Sequence, residues 1–193
     1  MTQAISLIVG LGNPGKTYAE TRHNAGFRFL HMLKQQADIR LKSESRFHGD
    51  LGQIHIEQHL VWMLAPTTYM NHSGQSVSAV ARYYKISVPQ ILVVHDEIDL
   101  PPGSARLKIG GGCGGHNGLK DIADHMGSRD FLRLRIGVGH PGSSSKVEGY
   151  VLKRPPKAEQ AQIDSALTQA QLYLPDIIHG HYDKVMNSLH SHC

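Results

Sequence analysis

Residues 7–17 read L-I-V-G-L-G-N-P-G-K-T. The apolar run from 5 to 9 closes on glycines, which is the pattern of a short buried strand running into a turn. A polar loop follows. From about 24 to 37, Gly26, Phe29, Leu30, Leu33 and Ala37 then recur along one helical stripe. A strand, a loop and a helix in that order open an α/β fold. The loop fits two nucleotide-binding patterns at once. Gly10, Gly12 and Gly15 make G-x-G-x-x-G, and Gly10, Gly15, Lys16 and Thr17 make G-x-x-x-x-G-K-T.

The residues around the loop argue against both patterns. A triphosphate loop offers successive backbone N–H groups, and Pro14 has none. The apolar run at 91–94 is followed by His95 before the acid pair Asp96 and Glu97, whereas a magnesium-holding acid would follow it directly. The chain stays polar from Lys16 through Asn24, so no packed helix starts on the glycines. A dinucleotide site needs that early helix too, together with a second strand ending in an acid about 20 residues later. Asp38 is the nearest acid, and it follows a helix pattern.

The alternation continues to the end of the chain. Segments 47–56 and 60–64 read as a strand pair. Val77, Val80, Ala81 and Tyr84 mark a helix that Asn71 or Ser73 would cap. The continuous apolar run 91–94 suits a parallel strand buried on both faces. Segment 105–109 reads as a strand, Asn117 opens a helix to about Met126, and 132–138 reads as a strand. Segment 139–157 is rich in Gly, Ser and Pro and is expected to be a mobile loop. Helices are expected over 157–178 and 181–190. The expectation is α/β: one domain over 1–193 with a twisted, mainly parallel (mixed) central sheet flanked by helices.

Composition narrows the function classes. The chain has 193 residues, enough for a core without metal or disulfide staples. No apolar run approaches the roughly 20 residues of a membrane helix. The N-terminal residues carry no basic leader or cleavage site, so a cytoplasmic protein is expected, with Cys113 and Cys193 as free thiols. A net charge of +4 and a pI near 9.1 favour an anionic partner. The basic residues of the second half are dispersed, as on a folded basic face.

In parallel sheets, sites form beyond the carboxyl ends of the strands. Asn13, Asp96 and His140 each follow a predicted strand, so their loops are expected to converge on one cleft. The motifs then become specific. G-L-G-N-P-G with Tyr18, T-R-H-N-A-G, P-T-T-Y-M-N-H-S-G, H-D-E-I-D-L-P-P-G, G-G-G-C-G-G-H-N-G-L-K-D and L-R-I-G-V-G-H-P-G run in order from residue 10 to 142. Together they resemble the bacterial peptidyl-tRNA hydrolase family. The resemblance implies a cytoplasmic, monomeric enzyme that cleaves the ester between a peptide and the 3′ adenosine of tRNA. It recycles tRNA from peptides released too early, and uses no metal or other cofactor.

The same resemblance assigns roles. His23 is the expected general base for water, oriented by Asp96, as in the His–Asp half of a serine triad with water in place of serine. Asn13, Asn71 and Asn117 are expected to position substrate, water or the oxyanion, since an amide both donates and accepts. Tyr18, Tyr69 and Met70 are expected to flank the cleft with sequence-tolerant apolar contact. His116 is expected to shape the site. Lys108 and Arg135 are the expected clamp for a tRNA phosphate. Each has a plainer reading. There are 14 histidines, the asparagines suit turns and caps, and the aromatics suit a core. Cys113 has no base beside it in the sequence, and the histidine-rich tail reads as a surface helix. A tRNA-binding protein without catalysis and a P-loop nucleotide hydrolase are the two other classes. The joint presence of His23, Asp96 and three asparagines argues against the first.

Overall fold

The computed structural model describes residues 3–191. Cys193 lies outside them. Seven strands form one sheet: β1 (Leu7–Gly10), β2 (Lys42–Glu44), β3 (Gly49–Ile56), β4 (His59–Pro66), β5 (Ile91–Glu97), β6 (Ala105–Ile109) and β7 (Leu132–Gly137). Their spatial order is β2-β3-β4-β1-β5-β7-β6. The centre is parallel, with β1 between β4 and β5 and β5 beside β7. Both margins are antiparallel. The parallel strands are near-continuous apolar runs because both faces are covered.

Period-two alternation sends Ile8, Leu92, Val94, Leu132 and Leu134 to one face. There they meet helices α1 (Ala25–Gln36), α5 (Lys157–Leu172), α6 (Leu174–Ile178) and α7 (Tyr182–His190). Leu7, Val9, Leu64, Ile91 and Val93 go to the other face, under α2 (Ser73–Tyr83) and α3 (Asn117–Met126). Each such side chain contributes about 1.5–3 kcal/mol on burial.

The glycine loop is now explained. A Cβ on Gly10 would strike the Gly26 carbonyl and the Leu30 side chain, and one on Gly12 would strike the Phe27 ring. These glycines let α1 lie directly on β1, with Phe27 N–H donating to Leu11 O at 3.1 Å. Helix α1 starts at Ala25, and Lys16 is exposed. No helix N-terminus therefore stands in the loop for a phosphate.

Several boundaries differ from expectation. Strand β5 continues past Val94 through His95 and Asp96 to Glu97. Neither Asn71 nor Ser73 caps α2. Both fall at a 3-10 turn, Met70–His72, and its junction with α2, where Ser73 Oγ bonds back to Met70 O at 2.7 Å. The segment expected as loop over 139–157 holds a 3-10 turn, Ser144–Lys146, and the short helix α4 (Val147–Val151). The helix expected over 157–178 breaks at Tyr173, because Pro175 cannot donate into a continuing helix. Among the described residues, no helix is long and apolar enough to cross a membrane.

Candidate active site

A cavity of about 770 Å³ opens at the carboxyl ends of the parallel strands. It is lined by Asn13, His23, Tyr69, Met70, Asn71, Asp96, His116 and Asn117, and also by His140, Val147, Glu148, Val151 and Leu152. The three strand-end loops of Asn13, Asp96 and His140 thus converge as expected. A second cavity of about 800 Å³ lies beyond α1, among Phe27, His31, Lys34 and Asp50, and contains none of the expected site residues.

Asp96 is the centre of the site and is 3% exposed. It accepts from His23 Nδ1 at 2.9 and 3.0 Å and from His116 Nε2 at 2.9 Å. The tautomer of His116 follows from its other nitrogen. Nδ1 accepts from the backbone N–H of Gly118 and of Leu119, at 3.1 and 3.4 Å, so the proton sits on Nε2. His116, and not Asn117, is therefore the side-chain cap of α3. The proton of neutral His23 sits on Nδ1, toward Asp96, which leaves the Nε2 lone pair on a ring that lines the cavity.

The three side chains have donor atoms within 4.8 Å of one another, close enough for a cation. His116 Nε2, however, carries a proton and has no lone pair to give. The arrangement is a hydrogen-bonded one, with a carboxylate between two donors.

Electrostatics follow from this geometry. Burial alone would lower the His23 pKa. The Asp96 carboxylate, by charge and hydrogen bond, outweighs it and raises the pKa above 6.5. Burial would raise the Asp96 pKa, but His23 and His116 hold it far below the usual carboxylate range. His95 sits behind them, 1% exposed, with Nδ1–H donating to Asp96 O at 2.7 Å. Burial and then the nearby His116 push its pKa down to about 3, so it stays neutral.

Asn13 is held on both sides. Its N–H donates to Asn24 Oδ1 at 2.8 Å, and Asn24 Nδ2 donates to Asn13 O at 3.0 Å. Its own Oδ1 accepts from Met70 N–H at 2.7 Å, which leaves Nδ2 as the side-chain group free to donate into the cavity. Asn24, 2% exposed, is a site residue that the sequence reading did not single out beyond the motif containing it. Tyr69 is exposed at the rim, and Tyr18 stands outside the cavity lining with its ring edge-on to Tyr69 at 6.5 Å. Asn71 and Asn117 are exposed at the cavity wall.

Lys108 and Arg135 do not line the cavity. They lie on one face of the β6–β7 pair but are not direct cross-strand neighbours. Lys108 is opposite Arg133, and Arg106 is opposite Arg135. Arg135 donates from Nε to Glu97 at 3.0 Å, and Arg133 is buried, donating to the carbonyls of Gly111 and Gly112. The glycine loop 110–115 thus folds over a row of cations. Cys113 is a free, half-buried thiol on the cavity wall.

Known proteins resemble this chain over nearly its whole length. The profile of the family described as Peptidyl-tRNA hydrolase matches residues 7–193. A peptidyl-tRNA hydrolase of Thiobacillus denitrificans is 56% identical over 177 residues, covering 92% of this chain and 86% of the relative. One from Neisseria gonorrhoeae is 48% identical over 191 residues, covering 99% of this chain and 100% of the relative. The crystal structure of peptidyl-tRNA hydrolase from Acinetobacter baumannii superposes with a TM-score of 0.94 at 49% identity, covering 98% of this chain and 96% of that one. With the profile spanning nearly the whole chain and relatives at about half identity, the chain belongs to the peptidyl-tRNA hydrolase family.

Proposed function

We propose that this protein hydrolyses the ester between a peptide and the 3′ adenosine of peptidyl-tRNA, with His23 as the base that activates water. The observation that carries the reading is the His23–Asp96 pair, hydrogen-bonded at 2.9 Å on the wall of an open cavity. His23 Nε2 takes a proton from water as its oxygen attacks the ester carbonyl carbon. Asp96 holds the ring in the required tautomer and favours the imidazolium that forms. Asn13 Nδ2 is the donor best fixed to meet the carbonyl oxygen as it gains charge, because the Met70 N–H holds the amide by its oxygen and Asn24 holds the backbone that carries it. The tetrahedral intermediate then expels the 3′ oxygen, which takes the proton from His23. The products are a peptide with a free carboxylate and a tRNA with its 3′ hydroxyl restored for reuse.

Met70 and Tyr69 offer a pliable apolar wall to peptides of varying sequence. Asn71 and Asn117 present amides to the peptide backbone or to water. The reading places the tRNA acceptor end along the β6–β7 face, where Lys108 and Arg135 take a phosphate. Lys108→Ala is expected to raise KM and flatten its salt dependence, and an unchanged salt slope would remove it from the phosphate contact. The enzyme acts in this reading as a cytoplasmic monomer without cofactor.

The direct test is release of N-acetylaminoacyl groups from tRNA in the presence of chelator and without nucleotide. His23→Ala is expected to lose roughly a hundredfold or more in kcat. Retained turnover in that variant would take the base role away from His23.

A further inference from the structure

The three residues of the 3-10 turn Arg22–Asn24 each hold a different wall of the site. His23 reaches Asp96 on β5, and Asn24 reaches Asn13 after β1. Arg22 turns the other way. Its guanidinium donates from Nη1 to Tyr150 O at 3.1 Å and Lys153 O at 3.4 Å, and from Nη2 to Glu159 at 2.9 Å. Its backbone N–H also donates to Lys153 O, at 3.2 Å. The guanidinium carbon lies 3.9 Å from the centre of the Tyr150 ring, and the Tyr150 hydroxyl donates to Val138 O at 2.7 Å.

These contacts fall at the carboxyl end of α4, the five-residue helix whose Val147, Glu148 and Val151 line the same cavity as His23. A helix that short does not sustain itself. Its last carbonyls need donors, and a cation is favoured there. Arg22 supplies both while 6% exposed. Lysine would carry the charge but not the flat fork that bonds two carbonyls and an acid and stacks on a ring.

We infer that Arg22 is a positioning residue: it fixes the α4 wall against the turn that carries His23, so that the wall stands in place to grip the substrate beside the base. The inference rests on the hydrolytic reading above. It extends that reading to how the α4 part of the pocket wall is held in place. Without Arg22 the wall loosens and ester and base remain chemically intact. The loss therefore falls on binding of ground state and transition state alike, and KM rises while kcat holds.

The experiment compares wild type, Arg22→Gln, Arg22→Lys and Tyr150→Leu in two readouts. The first is amide hydrogen exchange over 144–153. The second is kcat and KM on N-acetylaminoacyl-tRNA across pH. Arg22→Gln is expected to speed exchange selectively in that segment and raise KM roughly tenfold, with kcat within about twofold and the pH midpoint unmoved. Arg22→Lys should recover part of KM. Tyr150→Leu removes the ring from the α4 side and keeps Arg22, so it carries the test if Arg22→Gln does not fold. Its effect should be less than additive with that of Arg22→Lys. Faster exchange with unchanged KM would overturn the inference, as would a fall in kcat with a shifted pH midpoint and no local change in exchange. Wild type without turnover would instead sink the hydrolytic reading, while the exchange data still report whether Arg22 holds α4.

Discussion

At the carboxyl end of the parallel strands, His23, His95 and His116 surround Asp96. At the opposite end, His59, His179 and His181 gather beside Glu57 and Asp176. The second cluster is as rich in rings and acids as the first. His59 and His179 lie 4.6 Å apart, His179 Nε2 is 3.4 Å from Glu57, and His181 Nδ1 is 2.9 Å from Asp176. The difference is in burial and in whether the rings open on the cavity, as His23 and His116 do. Asp96 is buried and each imidazole around it has one proton position dictated by a backbone or carboxylate partner. Glu57 is exposed, and Asp176 shares its charge with Lys184 at 2.9 Å. Solvent screens such pairs, which are worth about 0–1 kcal/mol. A histidine near an acid is common on a surface. A histidine whose tautomer is forced and whose other nitrogen opens on a cavity is suited to catalysis.

The contrast can be broken by substitution. His23→Ala carries the largest expected loss, given above. Asp96→Asn comes next. An amide can present a donor where the carboxylate accepts, which favours the wrong tautomer of both His23 and His116. A loss of roughly a hundredfold or more in kcat is expected with the fold retained, read by turnover alongside the melting temperature. Near-normal kcat in a folded Asp96→Asn protein would make the carboxylate a structural anchor only. The smallest effect is expected at the far cluster. His179→Ala removes the hydrogen bond to Pro175 O and the contact with His59, so stability falls by about 1 kcal/mol while kcat and KM stay at wild-type values. A comparable loss of turnover there would erase the distinction between the two ends.

Much of the fold was legible because periodicity reports burial. Strand β6 and helix α3 match their expected bounds. The run at 91–94 marked β5 but stopped short, because His95 and Asp96 are polar residues placed inside a sheet, where alternation gives no sign of them. Strand β2 was missed for a related reason, since K-S-E has no apolar residue. The motifs brought His23, Asp96, Asn13, Met70 and His116 into view, and they do meet in one cavity. Asn24 and Arg22 were passed over as roles. Their partners lie 11 and up to 137 residues away, and nothing in the local pattern records that distance. The T-R-H-N run is the one signal that could have found them: four consecutive polar residues, all buried in the fold, at the entry to an apolar helix.

The most direct measurement is the pH dependence of kcat/KM, which reports groups of the free enzyme. In the proposed mechanism His23 acts in its neutral form, and Asp96 raises its pKa, so activity is expected to fall as pH drops through a midpoint above 6.5. The same shift makes the His23–Asp96 contribution to stability full below about pH 6.5 and lost as pH rises through that higher midpoint. The account predicts a single ascending limb centred above 6.5 in wild type, abolished in the residual activity of His23→Ala. A limb centred at or below 6.5, or one that persists unchanged without His23, would contradict it.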